Sequence, residues 1–146
     1  MLGNSMTRFA FLPLLPLLLL AGCATLDSHT EPKVNLASYQ HLFVEHVLAD
    51  GNGVDQVIAR ELRARGYDAN SGPLTLLPDN AQLLVRYDDR WNYDFSNYMI
   101  ELNLIVQTVD GDRRLATAHY HRPTLGKGST VEMVDTVLDK LFPRKN

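Results

Sequence analysis

The stretch Tyr87-Asp88-Asp89-Arg90-Trp91-Asn92-Tyr93-Asp94-Phe95-Ser96-Asn97-Tyr98 interleaves five aromatic rings with four charged groups and three amides or hydroxyls. That mixture suits a rim that binds sugar or peptide, with ring faces stacked on the ligand and carboxylates and amides orienting it. Tyr87, Asp89, Trp91, Tyr93 and Asp94 are the expected ligand or partner surface. The competing reading makes Tyr87 and Trp91 an extension of a strand's core face and the charges its wet face. Asp88 and Asp89 do not form a hydrolytic pair, because adjacent strand residues point to opposite faces. His119 and His121 stand two apart, so both rings leave one face of a strand. They bind a transition metal only if His41, His46 or a carboxylate joins them. With Leu115 and Thr117 they make a polar-leaning face, so they read as solvent-facing residues and no metal is expected. Gly51-Asn52-Gly53 has neither the lysine nor the spacing of a phosphate loop. Nothing resembles a Gly-x-Ser-x-Gly nucleophile elbow. Gly126-Lys127-Gly128-Ser129 reads as a loop feeding a helix cap rather than an anion site. No catalytic residue and no cofactor are expected.

These residues need elements to hold them. His41 to Val47 is rich in β-branched and aromatic residues and predicts a first strand. After the Gly51-Asn52-Gly53 turn, Val54, Val57, Ile58 and Leu62 have the spacing of one buried helix face. Gly66 stands where that helix would end in the left-handed conformation, with Tyr67 packing back on its last turn. Glu61 and Arg65 are spaced for an i, i+4 ion pair, and Arg60 and Arg63 are expected to face water. Tyr67 to Ala69 offers a short strand. Leu83, Val85, Tyr87 and Trp91 then share one strand face, and Tyr98, Ile100, Leu102, Leu104 and Val106 share the next. Turns at Asp94–Asn97 and Asp110-Gly111 make antiparallel hairpins, leading to a strand from Leu115 to Tyr120. Ser129 and Glu132 form a capping box for a second helix, whose apolar stripe is Val131, Val134, Leu138 and Leu141 and which Pro143 ends. The order is β-α-β-β-β-α. Single-sided strands demand that both helices cover the same side, so the expected fold is an α+β two-layer sandwich with a mainly antiparallel sheet of about four or five strands.

Cys23 is the only cysteine, which excludes a disulfide framework and any zinc site built on paired thiolates. It closes Leu20-Ala21-Gly22-Cys23, after an apolar run from Phe9 to Ala21 that follows Arg8 and contains Pro13 and Pro16. The run is shorter than the roughly 17–25 residues that span a bilayer and reads as the apolar region of an export signal. The tetrapeptide resembles the lipobox of bacterial lipoproteins. That resemblance implies cleavage between Gly22 and Cys23 and three acyl chains on Cys23, where a single chain would bind membrane only marginally. Ala24, in place of the aspartate that retains lipoproteins at the inner membrane, points to the outer membrane. The expected organisation is therefore a signal peptide at 1–22, a lipidated cysteine with a flexible tether at 23–36, and one α+β domain at 37–146.

The first 22 residues hold one base and no acid, so the remaining chain is one charge more acidic than the −3 of the whole. An acidic surface is a poor match for nucleic acid. No basic amphipathic segment is present either, which leaves membrane contact to the acyl chains.

The chain resembles a family of small bacterial lipoproteins whose domain has no known function (DUF4136-like). The resemblance is carried by the lipobox cysteine, the strand near Phe43 and the helix ending Leu62-Arg63-Ala64-Arg65-Gly66-Tyr67. It also rests on the strand Ala81-Gln82-Leu83-Leu84-Val85 and the terminal helix ending Leu141-Phe142-Pro143. The tryptophan which that family often carries in its last strand is absent, Trp91 being the only one. The family brings no reaction and so no catalytic residue. The expected function is that of a non-catalytic outer-membrane lipoprotein facing the periplasm, whose domain binds or assists an envelope protein or cell-wall component. The alternative is a small-ligand or glycan module using the aromatic stretch around Trp91.

Overall fold

In the computed structural model, which describes residues 23–123 and 128–146, apolar periodicity becomes two layers. The elements are β1 (Thr25–Thr30), β2 (His41–Glu45), α1 (Val54–Ala64), β3 (Asp68–Gly72), β4 (Leu83–Tyr93), β5 (Asn97–Thr108), β6 (Arg114–His121) and α2 (Thr130–Leu141). They build one open six-stranded sheet in the order β1-β6-β5-β4-β2-β3. The pairs β4–β5, β5–β6 and β6–β1 are antiparallel, whereas β2 is parallel to both β3 and β4. Both helices lie on one face. Val54, Ile58 and Leu62 of α1 and Val134, Val137 and Leu138 of α2 are fully buried against Val44, Val85, Leu102, Leu104 and Val106. The α+β two-layer sandwich with helices on one side is thus the fold, with six strands rather than four or five. The signal-peptide reading of 1–22, including the cleavage residue Gly22, lies outside the described residues, as does most of the Gly126–Gly128 loop.

The helix ends follow the sequence closely. Ser129 Oγ accepts from Glu132 N at 3.1 Å, and Gly66 takes φ +93° just past α1. Four details depart from expectation. The segment 23–36 is not a tether: β1 pairs along its whole length with β6, from Thr25 opposite His121 to Thr30 opposite Ala116. Only Leu26 packs toward the core, so the strand is held by main-chain bonds, which leave no apolar alternation to read.

In the second departure, Ile100 does not join the core face. Arg90 pairs with Glu101 and Trp91 with Met99, which leaves Ile100 as the extra residue of a β-bulge and puts Met99, 2% exposed, into the core instead. The carbonyl of Ile100 is satisfied by Arg122 N at 2.8 Å. Thirdly, the stripe of α2 is rotated: Val131 is exposed, while Met133 and Val137 are buried.

Finally, Arg65 does not pair with the Glu61 carboxylate. Its side chain is buried between the helices, donating to Asp135 Oδ1 (2.7 Å), Asp139 Oδ1 (2.5 Å) and the Glu61 carbonyl (3.3 Å). Arg63 is exposed, as expected, and also donates to the Ala69 carbonyl at 2.7 Å.

Candidate functional site

β2 is the one strand with parallel neighbours on both sides, and the chain leaving it climbs to α1 before returning as β3, away from β4. A reversal of this kind opens a crevice beyond the carboxyl ends of the strands, the usual ligand position in open sheets with parallel strands. Here a cavity of about 420 Å³ is lined by Glu45, His46, Val47, Leu48, Ala49, Arg86 and Tyr87.

Asp50 adjoins it through the lining residue Tyr87. Gly53, the residue before α1, has no side chain with which to cap the helix, and Asp50 Oδ2 accepts from Val54 N at 2.7 Å in its place. Asp50 Oδ1 accepts from Asn52 N at 2.7 Å, and Oδ2 also accepts from the Tyr87 hydroxyl at 2.7 Å. Burial alone would raise the Asp50 pKa, but these hydrogen bonds favour the carboxylate and leave it below the ordinary value. Tyr87 is displaced upward, by burial first and then by the proton it gives to Asp50. Beside them stands Asp55, 2% exposed, on the first turn of α1. Its Oδ1 lies 3.2 Å from His46 Nδ1, yet no well-directed hydrogen bond reaches that oxygen.

The five residues expected to form one surface are dispersed along β4 and into the turn that follows it, where Asp94 lies. Tyr87 is buried and committed to Asp50. Trp91 packs partly against the core and donates its indole N–H to Asp89. Burial raises the Asp89 pKa, with the charges of Asp50 and Asp88 adding to it and the indole bond opposing. Beyond this pair, Tyr93 is exposed at the hairpin, Asp94 N bonds the Ser96 carbonyl at 3.2 Å, and Phe95 stands 95% exposed with φ +59°.

On the face without helices, His119 and His121 do project together, as their spacing requires. Glu101 stands between them, 3.8 Å from each Nδ1, and is already paired with Arg90 at 2.5 Å. His119 is further bonded to Asn103. His41 does not complete this group, being paired with Asp68 at 2.8 Å at the far end of β2, and His46 belongs to the crevice.

Sequence reasoning placed His46 in the wrong company and passed over Asp50 and Asp55. The signal was there: Asp50 stands four residues before the first helical residue, the spacing of an offset cap.

No protein-family model matches the chain, and no curated protein matches it. Among solved structures it is similar to the PelC dodecamer from Paraburkholderia phytofirmans, with a TM-score of 0.60 at 16% identity, over 84% of this chain and 100% of that one. A single-substitution variant of that dodecamer matches at 0.60 and 17% identity over the same shares. A PDZ domain protein from Parabacteroides distasonis gives 0.47 at 9% identity, over 80% of this chain and 34% of that one. At such identities the likeness to PelC concerns the fold.

Proposed function

We propose that the protein is a non-catalytic lipoprotein of the outer membrane, anchored through Cys23, whose periplasmic domain serves as a binding or accessory module for an envelope partner. The observation that carries this reading is the shared polarity of anchor and exposed apolar groups. Thr25, His121, Glu101 and Arg90 form one row across the sheet. Cys23, two residues before β1, lies within about 7 Å beyond that row, and the tip with Tyr93 and Phe95 stands roughly 10–15 Å beyond it on the β4–β5 hairpin, at ~3.3 Å per residue. β2 runs parallel to β4, so Leu48, 94% exposed, emerges at the same end. An aromatic residue held at positive φ without burial gains nothing within the monomer, and at Phe95 this favours use by a partner. Such a partner would sit at or near the membrane surface. The dodecameric state of the similar PelC makes a second copy of the chain one of the partners to look for.

Two experiments test the proposal. Cys23→Ser should abolish incorporation of labelled fatty acid and leave a precursor; persistent labelling would refute the anchor. In-cell photocrosslinking from Tyr93 should capture one dominant envelope protein or a second copy. Recovery of glycan alone would instead favour the cell-wall-binding reading, although Trp91, half-buried and bonded to Asp89, offers less of a stacking platform than Tyr93.

A further inference from the structure

We propose that His46, Asp50 and Asp55 constitute a binding site for a divalent metal ion of the zinc class, at the mouth of the crevice between β2 and β4. Each of the three can offer one ligand atom, and these atoms lie within 4.8 Å of one another. One imidazole and two carboxylates form a donor set of the type that zinc accepts, with a fourth position left for water. His46 and Asp50 lie on the β2–α1 connection and Asp55 on the first turn of α1, and this backbone is fixed by the bonds that Asp50 receives from Asn52 N and Val54 N.

The second observation is Asp55 itself. Its side chain is almost wholly buried and its Oδ1, 3.2 Å from His46 Nδ1, receives no well-directed hydrogen bond among the described residues. A carboxylate oxygen in that condition is costly unless a cation or donor faces it. Asn52 N, Val54 N and the Tyr87 hydroxyl bond the Asp50 oxygens and Gly53 N–H also faces them, so an ion would share a lone pair with one of these donors. The Tyr87 hydroxyl then has the role of a group behind the metal ligand, fixing the orientation of the Asp50 carboxylate. The α1 N-terminus adds about half a positive charge, which two carboxylates outweigh. His46 is 30% exposed on the cavity side, which gives the ion a way in. The site stands independently of the lipoprotein reading.

The test is calorimetric titration of the metal-stripped, full-length protein in detergent with zinc chloride, with thermal melting followed in parallel. We expect one zinc per chain and a Tm that rises with zinc concentration. His46→Ala and Asp55→Asn should each weaken binding by more than about tenfold, as loss of a ligand does. The His119→Ala/His121→Ala double variant should bind as the wild type does. Zinc binding that survives both single variants, that vanishes in the double variant, or that is absent at millimolar zinc would overturn the proposal. So that misfolding cannot imitate loss of a ligand, the long-range imidazole ¹⁵N signals of the wild type give a second reading. The resonances of His46 must shift on zinc addition, and shifts confined to His119 and His121 would equally refute the site.

Discussion

Asp89 shows how one side chain can be read correctly for its place and wrongly for its role. It does share a strand face with Tyr87 and Trp91, as period-2 alternation requires. That face, however, is turned toward the helical layer, so the carboxylate is partly desolvated and bonded to the indole N–H of Trp91. A carboxyl whose folded pKa is raised contributes stability that is fully present below the unfolded value near 3.8 and is lost as pH rises from there through the higher folded value. At neutral pH the Asp89 charge, near those of Asp50 and Asp88, is therefore a net cost. Asp89→Asn keeps an acceptor for Trp91 and removes the charge, so it should raise Tm at pH 7. The gain should shrink as pH falls through the raised folded value and be gone below the unfolded value of 3.8; a Tm that drops both at pH 7 and below 3.8 would show that the charge itself is needed.

At the scale of elements, legibility tracked whether an element announces itself through side chains. α1 and the ends of α2 were visible because Val54, Ile58 and Leu62 repeat with the helix period and Ser129 caps through its own oxygen. β1 was invisible because Thr-Leu-Asp-Ser-His-Thr has a single core-facing residue, and its pairing with β6 is a main-chain affair. The phase error at Ile100 has the same origin: a bulge changes which residues face inward without changing composition. The crevice was illegible for a different reason. Its groups, Tyr87 and Asp50, are 37 residues apart and meet only because β4 lies beside β2.

The strand assignment of β1 can be checked directly. Glu31 N donates to Leu115 O at 2.8 Å, so by the alternation of an antiparallel ladder His29 N–H faces β6 and Ser28 N–H faces away. His29→Pro should therefore cost about 1–3 kcal/mol in denaturant unfolding. Ser28→Pro should cost clearly less. Equal and negligible costs would restore the flexible tether.

Across the whole molecule, the two helices are tied to each other as well as to the sheet. Arg65, 1% exposed at the end of α1, reaches Asp135 and Asp139 on α2. The chain then closes around it: Lys145 N donates to the Arg65 carbonyl at 2.8 Å, the Tyr67 hydroxyl donates to Pro143 O at 3.0 Å, and Lys145 Nζ sits 4.3 Å above the Tyr67 ring. Both carboxylates are partly exposed, so removing Arg65 leaves them able to rehydrate. Arg65→Ala should cost about 3 kcal/mol, the low end for breaking a buried ion pair, measured as a shifted denaturation midpoint. Asp139→Asn, at an exposed position, should cost under about 1 kcal/mol. If the two substitutions cost the same, the buried guanidinium is not what joins the helices.

The pairing of β1 also has a mechanical meaning. With Cys23 as the proposed point of attachment, Ala24 is the only residue between the acyl chains and the first rung of the sheet. The domain would then have no slack: it could neither swing on a leash nor search far from the bilayer, and would present the same face to its surroundings throughout. A tug on the anchor along the strand axis would run perpendicular to the β1–β6 hydrogen bonds and strain the whole ladder at once, rather than peeling it rung by rung. The edge of the sheet would be the joint through which any force between membrane and partner must pass.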